Sequence, residues 1–247
     1  YILCKKYKTP WIADYRDAWT TSTINNVNGN IIFSLLNRYH KLFEKKWTKT
    51  ASYITASSEP IGKSIENLSK IKSLAIYNGF EPDEFIEYKN INKQQDYFQI
   101  AYIGTLYYGQ DISIFLSAYK NFIDFKKPKS KLLFPGLEID KEQKERVSFL
   151  MKGYERHFET SLRIPKKEIF KIEKKSHLLL HVAWKGHEGI IASKVYEYIG
   201  SGTKIIIVPG DNNSIDKIVK KSGSGFILND IEETFKFLCN EYDSFID

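Results

Sequence analysis

The segment SKVYEYIGSGTKIIIV, residues 193–208, constrains the fold more than any other part of the sequence. Its end, 205–208, consists of β-branched residues without polar alternation, which is typical of a parallel strand buried on both faces. Before this strand come a short helical stretch and then Gly200 and Gly202, which suit a chain that leaves a helix through positive φ. The segment is therefore predicted to form one helix–turn–strand step of an α/β sheet.

The helical part of this segment carries two opposite charges. Ser193 is predicted to be the N-cap, because a serine hydroxyl accepts hydrogen bonds from free N–H groups one turn on. Lys194 and Glu197 are three residues apart, which is compatible with a solvated ion pair that contributes about a few tenths of a kcal/mol. They are also compatible with a ligand site, and the spacing alone leaves both interpretations open.

Similar segments recur along the whole chain. Strands are predicted at 11–13 and within 51–58, 73–85, 98–111, 130–136, 176–184 and 224–230. Helices are predicted at 31–50, 60–68, 112–125, 141–154 and 231–246. Because strands alternate with helices, we expect an α/β chain with parallel sheets. The polar, mixed segment 86–97 is predicted to be a linker between two such units.

The composition describes a basic chain with enough apolar residues for a core. The 247 residues are 42% hydrophobic, and the net charge is +7. This charge favours an anionic partner, namely a nucleic acid, an anionic lipid or a phosphorylated small molecule. A lysine-rich surface without any such partner is the alternative. A nucleic-acid binder is disfavoured, because the lysines are dispersed and no zinc-finger, RNA-recognition or basic-zipper pattern accompanies them.

The cysteines and the lengths of the apolar runs indicate the cellular location of the protein. Cys4 and Cys239 lie at opposite ends of the sequence without metal-ligand spacing, so a cytoplasmic location is expected. No apolar run reaches the roughly 20 residues that a membrane-spanning helix needs. The lysines and the aromatic-rich helix at 31–47 predict peripheral contact with an anionic membrane at its inner face, although most of these aromatics are expected to be core.

Polar residues follow several of the predicted strands. In an open parallel sheet, ligands bind in the crevice beyond the carboxyl ends of the strands. The residues expected at those ends are Arg16 and Asp17, 78–79, Gly104 and Thr105, 181–188 and 194–197.

Several of these motifs, taken in their order along the chain, resemble a known family. The segments IAYIGTLYYGQD, AIYNGFEPDEF and SKVYEYIGSGTKIIIV are similar to motifs of family 4 glycosyltransferases, in particular the bacterial branch that builds surface polysaccharides. PWIADYRDAWT is similar to the cleft edge of that branch's first domain. The resemblance implies the GT-B fold, which has two Rossmann-like parallel-sheet domains, and a retaining mechanism.

The resemblance also implies a division of the chain. Residues 1–85 would form a partial, N-terminal, acceptor-side domain whose early strands are expected to be missing. Residues 86–235 would form the domain that binds the nucleotide-sugar, and 236–247 would be a C-terminal tail helix.

Roles for individual residues follow from the same resemblance. Glu197 matches the family carboxylate that accepts hydrogen bonds from both ribose hydroxyls of the donor. The two oxygens of a carboxylate match the two hydroxyls of a vicinal diol. Lys194, with the N–H groups that follow Ser193, would face the diphosphate. Arg16 and Asp17 occupy positions near the reacting sugar, as candidate catalytic residues. The remaining predicted donor-binding residues are Gly104, Thr105, Arg163, Ile164, Lys185, Glu188 and Val195.

The sequence departs from the family pattern in the donor site. The family's first glutamate, eight residues before Glu197, falls on Gly189, and Glu188 is one place off. Thr105 and Gln110 replace the basic pair that commonly follows the glycine loop in the family. Neutralisation of the diphosphate charge would therefore depend on Lys194 and Lys185.

The resemblance favours an enzyme that transfers a sugar from a nucleoside-diphosphate-sugar to a saccharide or polyprenyl-lipid-linked acceptor. No cofactor is expected, and no metal would be needed if Lys194 neutralises the diphosphate. The alternative is a non-catalytic nucleotide-sugar-binding module that depends on a further segment or partner.

Overall fold

The structure is a computed structural model that describes residues 1–22, 31–94, 96–184 and 186–247. Lys185, one of the predicted donor-binding residues, lies outside these ranges. The α-helices of the described ranges are α1 (Ile2–Tyr7), α2 (Ile31–Thr48), α3 (Glu59–Ser69), α4 (Ser113–Lys126), α5 (Lys141–Leu150), α6 (Lys166–Lys175), α7 (Ser193–Ser201), α8 (Ser214–Ser222) and α9 (Ile231–Ile246). Short 3₁₀ helices are found at Pro82–Tyr88, Leu137–Ile139 and Glu155–His157.

The strands form two separate sheets. They are β1 (Ile12–Tyr15), β2 (Tyr53–Ala56), β3 (Ser73–Ala75), β4 (Phe98–Ala101), β5 (Ser130–Pro135), β6 (Phe158–Ser161), β7 (Leu178–His181), β8 (Ile205–Ile207) and β9 (Gly225–Ile227). All the pairings between these strands are parallel. The prediction of an α/β chain with parallel sheets is thereby confirmed.

The chain divides into two compact units. The first consists of residues 1–78 and 187–191, and the second of 79–186 and 192–247. The segment 86–97, predicted to be a linker, belongs to the second unit, where the buried Tyr88 packs against Phe170 of α6.

The first unit contains a three-stranded sheet of order β1-β2-β3. Its core is small, because several inward positions carry alanine. The buried residues of this core are Ala13, Ala51, Ile54, Ala56, Ile61 and Ile65. Alanine at 13 and 56 leaves room for Ile61 and Ile65, which α3 turns toward the sheet.

The second unit contains a six-stranded sheet of order β6-β5-β4-β7-β8-β9. Every residue of β4, β7 and β8 is buried, which explains why their sequences do not alternate between apolar and polar residues. Helices α4 and α9 pack against each other beside this sheet. Their buried and partly buried side chains, among them Phe122 and Tyr242, extend the core around Phe98.

One strand and two α-helices of this unit were not predicted. Strand β6 has the polar sequence FETS, because it lies at the edge of the sheet. It therefore lacks the run of apolar residues by which a buried strand is recognised. Helices α6 and α8 are short and rich in lysine, and each buries only one narrow face. Across the described ranges, we find no helix that is both long enough and apolar enough to span a bilayer.

Candidate functional site

The order of the second sheet identifies where a ligand would bind. The chain passes outward from β4 through β5 to β6, and then returns to add β7, β8 and β9 on the other side of β4. The strand order therefore reverses between β4 and β7. In open parallel sheets, this switch point opens a crevice beyond the carboxyl ends of the strands. The segment that leaves β4 here is 102–112, and the segment that leaves β7 begins at Val182.

The segment after β4 makes a sharp turn at Gly104. Its φ of +86° lies in the left-handed region that favours glycine, and its N–H donates to the Pro135 carbonyl at 2.8 Å. Gly136 has a φ of +94°, and a Cβ placed on it would lie 3.1 Å from the Cα of Gly104. Both glycines are therefore needed for the backbones after β4 and β5 to pass so closely.

Lys194 reaches this turn from the first turn of α7. Its ammonium lies 4.0 Å from the ring centroid of Tyr102 and makes a long hydrogen bond of 3.4 Å to the Thr105 carbonyl. Burial lowers the pKa of Lys194 to about 7, while the charge of Glu197 opposes the shift. Burial removes water from this ammonium, which costs free energy. The contacts with the Tyr102 ring and the Thr105 carbonyl offset only part of that cost.

Gln110 holds the turn in place from within the protein. This buried residue donates from Nε2 to the Val182 carbonyl at 2.5 Å and accepts from the Tyr107 N–H at 3.0 Å. The Tyr102 hydroxyl donates to the Thr105 carbonyl at 3.0 Å and lies 3.2 Å from Gln110 Oε1. Gln110 therefore joins the segment after β4 to Val182, which follows β7.

Helix α7 is fixed to the sheet by Tyr198. Its fully buried hydroxyl accepts from the Ile103 N–H at 2.9 Å and donates to the Leu180 carbonyl at 3.4 Å. These bonds join the helix to the residues that follow β4 and to β7. Lys194 and Glu197, on the same helix, are therefore held at the switch point.

Two predictions about the ends of α7 were wrong. Ser193 is exposed and is the first helical residue, so the N-cap position falls on Ala192 and no side chain caps the helix. Gly200 lies inside the helix, where a Cβ would come within 2.7 Å of the rings of Phe80 and Phe85. Gly202 does end the helix through a positive φ of 68°, as predicted.

Glu197 lies on α7, one turn after Lys194, and is partly buried. Burial raises the pKa of its carboxyl, and the nearby Glu84 adds to the shift. The positive charge of Lys166, followed by that of Lys194, lowers the pKa of Glu197 and so opposes burial. No ion pair between Lys194 and Glu197 is found in the described part of the chain, in contrast to the surface-pair interpretation.

The other predicted donor-binding residues of this unit are placed differently. Arg163 is exposed and Ile164 is partly buried, both in the loop that leaves the carboxyl end of β6. The Val195 side chain is fully buried, and its N–H donates to the Ala192 carbonyl at 3.0 Å. Arg163 and Ile164 thus belong to the same edge of the sheet as Gly104, whereas Val195 packs inside.

The two predicted catalytic residues belong to the first unit. Arg16 follows β1 and donates from Nη1 to the Asn78 side-chain oxygen at 2.9 Å, and its Nε lies 3.5 Å from Asp14. Asp17 is exposed beside it. The pair therefore lies at the carboxyl end of the first sheet.

Glu188 and Gly189 also belong to the first unit. Gly189 has a φ of +80°, and its carbonyl accepts from the Ser58 hydroxyl at 2.8 Å. A Cβ at this position would lie 2.8 Å from that hydroxyl and 3.1 Å from Pro60. Glycine at the family's glutamate position is therefore required by the local backbone. As for metals, no group of three or more His, Cys, Asp and Glu side chains within the described ranges is arranged to hold an ion.

Tyr198→Phe is expected to destabilise the protein by about 1–3 kcal/mol, because the buried Ile103 N–H would lose its partner. Urea denaturation measures this loss directly. Tyr108→Phe is the control, since Tyr108 is 87% exposed. Equal unfolding midpoints for the two variants would show that the Tyr198 hydroxyl does not hold the helix.

Comparison with known proteins gives matches of structure without matches of sequence. No protein-family model matches the chain, and none of the curated proteins matches it. Among solved structures, Anabaena HepE in complex with UDP superposes with a TM-score of 0.67 at 14% identity. An α,α-trehalose-phosphate synthase (UDP-forming) from Burkholderia vietnamiensis superposes with a TM-score of 0.65 at 8% identity.

The chain has the GT-B fold. A putative UDP-N-acetylglucosamine 2-epimerase from Listeria monocytogenes is also similar, with a TM-score of 0.54 at 10% identity. The matches cover 99%, 98% and 98% of this chain, in the order HepE, synthase, epimerase. They cover 65%, 64% and 61% of those structures, so the chain spans somewhat less than two thirds of their length. Likeness at such low identity establishes the GT-B architecture alone.

Proposed function

We propose that the chain binds a nucleoside-diphosphate-sugar at the switch point between β4 and β7 and transfers its sugar with retention of configuration. The acceptor would be a saccharide or a polyprenyl-linked saccharide of a bacterial surface polysaccharide, as in the family 4 glycosyltransferases that the motifs resemble. The observation that carries the proposal is the partly buried Lys194 ammonium beside the Thr105 carbonyl.

We assign a group at this edge to each part of the donor. The diphosphate would pair with the Lys194 ammonium and accept hydrogen bonds from the N–H groups at the uncapped start of α7, where the helix dipole also favours an anion. The Glu197 carboxylate would accept from the ribose hydroxyls. The base would lie against the loop of Arg163 and Ile164. Gly104 would let the backbone approach the phosphates.

Transfer requires that the departing diphosphate be stabilised as its charge grows. A fixed ammonium and aligned N–H groups stabilise such charge without reorganising, which is why we expect no metal. Arg16 and Asp17 of the first unit are proposed to act near the reacting sugar and the acceptor. Neighbouring structures contain UDP or UDP-glucose, which makes uridine nucleotides the first donors to test.

A panel of nucleoside diphosphates and their sugars, screened by thermal unfolding, tests the proposal. At 100 times its dissociation constant, a donor is expected to add about 2.7 kcal/mol to the free energy of unfolding. Inorganic pyrophosphate and the bare nucleosides are the controls for the two halves of the ligand. A panel in which no nucleotide raises the unfolding temperature would contradict the proposal.

A non-catalytic nucleotide-sugar-binding module is the second candidate, because Lys194 and Glu197, assigned to the donor, belong to the second unit, whereas the candidate catalytic residues Arg16 and Asp17 belong to the first. Release of free UDP from a UDP-sugar in the presence of polyprenyl-linked acceptors separates the two. Donor-dependent stabilisation with UDP release supports the transferase. Stabilisation without release from any acceptor supports the module.

Peripheral contact with an anionic membrane is proposed for α2. Its exposed apolar residues are Ile32, Leu35, Leu36, Tyr39 and Leu42. Its exposed basic residues are Arg38, Lys41, Lys45 and Lys46. We expect the chain to sediment with vesicles of anionic phospholipid at moderate salt and not with zwitterionic vesicles, because each basic residue near the surface contributes about 1 kcal/mol. Failure to sediment with either kind would exclude this contact.

A further inference from the structure

Glu197 faces an ionisable cluster that is built from three packed elements, namely α6, α7 and the 3₁₀ helix Pro82–Tyr88. The elements are held together by aromatic contacts beneath the charges. The rings of Phe85 and Phe170 lie 4.7 Å apart, and Phe80 and Phe85 pack against Gly200 of α7. The charged groups above this base therefore have defined positions.

Lys166, the first residue of α6, has a fixed partner in this cluster. Its ammonium lies 2.7 Å from both carboxylate oxygens of Glu84 on the 3₁₀ helix. The hydrogen bond to Glu84 raises the pKa of Lys166, and the charge of Glu197 adds to this effect through space. Lys166 therefore stays positive near Glu197 while its own hydrogen bonds go to Glu84.

Glu173, two turns after Lys166 on α6, is fully buried. Neither of its carboxylate oxygens has a hydrogen-bond partner within the described residues. Burial, together with the charge of Glu197, raises the pKa of Glu173 to about 8, and the charge of Lys166 opposes this shift. At neutral pH, Glu173 is consequently a neutral group behind the cluster, so the charge of Lys166 is left to act on Glu197.

We propose that Lys166, held by Glu84, is a positioning residue that keeps Glu197 ionised for the ribose diol of the donor. The part that concerns the diol rests on the proposed function. Burial alone favours the protonated form of Glu197. A protonated carboxyl would present a hydrogen-bond donor to the ribose diol, whose hydroxyls need hydrogen-bond acceptors. Lys194 also supplies positive charge, but in our proposal it is committed to the diphosphate. Because Glu84 takes the hydrogen bonds of Lys166, both oxygens of Glu197 remain available.

Carboxyl NMR of the unliganded full chain, labelled with ¹³C in the glutamate side chains, tests the electrostatic part. The Glu197 signal is assigned by its loss in Glu197→Gln. Lys166→Met is expected to raise the pKa of Glu197 by about one unit, because an opposite charge nearby typically shifts a carboxyl by that much or more. Lys166→Arg is expected to leave it near the wild-type value. One further carboxyl, that of Glu173, is expected to titrate near pH 8.

Lys171→Met is the matched control. Lys171 also lies on α6 and pairs with a glutamate, since its ammonium is 2.7 Å from Glu168. Its removal is expected to leave the Glu197 titration unchanged. A Glu197 pKa that is the same in Lys166→Met and in wild type would overturn the proposal.

Calorimetric titration with UDP and with inorganic pyrophosphate tests the functional part. Lys166→Met is expected to weaken UDP binding several-fold at low pH, with recovery as the pH rises and Glu197 ionises again. Pyrophosphate binding is expected to be unchanged. An equal loss for both ligands would make Lys166 a phosphate ligand and overturn the positioning role. If UDP does not bind the wild type while the Glu197 pKa still depends on Lys166, the proposed function fails and the electrostatic role stands.

Discussion

Replacing Lys194 with methionine is expected to stabilise the unliganded protein and, at the same time, to weaken nucleotide binding by tenfold or more. Methionine retains most of the apolar stem of the lysine but removes the charge that lies over the Tyr102 ring. A hydrogen bond to a charged group contributes about 1.5–3 kcal/mol, which corresponds to roughly a tenfold to hundredfold loss of UDP affinity. Pyrophosphate and UDP should lose affinity equally, because Lys194 is assigned to the diphosphate.

The gain in stability has a defined pH dependence. The pKa of Lys194 is about 7 in the folded chain, below the ordinary value of 10.5, so at pH 6 the folded protein carries a charge that burial disfavours. Each pKa unit corresponds to about 1.4 kcal/mol, so Lys194→Met should raise the free energy of unfolding at pH 6 by at least about 1 kcal/mol. The gain should shrink as the pH rises from 7 toward 10.5, because the folded wild type then loses the proton.

Urea denaturation at pH 6 and pH 9 measures this difference. Lys217→Met, at an exposed position on α8, is the control and should show neither the gain nor its pH dependence. The affinity of the wild type for a UDP-sugar should fall as the pH rises above 7, since binding then requires Lys194 to take up a proton. A less stable Lys194→Met variant with unchanged UDP affinity would contradict the assignment of Lys194 to the diphosphate.

Glu197→Gln is expected to reduce UDP affinity by tenfold or more while leaving pyrophosphate binding intact. Glutamine keeps the size of the side chain, but it replaces one of two acceptor oxygens with a donor and removes the charge that strengthens both bonds to a diol. Folding stability should barely change, because the charges of Lys166 and Lys194 oppose the effect of burial on the ionised carboxylate.

Isothermal titration of the variant with UDP, UDP-sugar and pyrophosphate measures the effect. Glu168→Gln removes a carboxylate from the exposed Lys171 pair and serves as the control. A surface role for Glu197 predicts the reverse pattern, with a small loss of stability and no change in any dissociation constant.

Much of the fold could be predicted from the sequence, whereas the contacts that position the candidate site could not. The strands of the second sheet could be recognised because burial on both faces removes the polar alternation, as in the LLLH of β7 and the III of β8. Strand β6 was missed for the converse reason. It lies at the sheet edge, where the polar residues of FETS are tolerated.

The residues that build the site were missed because their contacts join distant parts of the chain. Tyr198 is 95 residues from Ile103, and Gln110 is 72 residues from Val182, so no local pattern reveals either bond. The Ser193 cap was predicted from residue type alone, and the helix starts one position earlier than a serine cap requires. Glycine at 189 is explained by a positive φ, which becomes visible only in three dimensions.

Amide NMR of the labelled full chain titrated with UDP tests the proposed site most directly. The largest shifts are expected at Gly104, Thr105, Lys194 and Glu197, and they are expected to saturate together. An open cavity lined by Gly202, Lys204 and Phe226 lies at the opposite edge of the same sheet, beside the amino ends of β8 and β9. Shifts confined to that cavity, or no shifts at millimolar UDP, would contradict the site at the switch point.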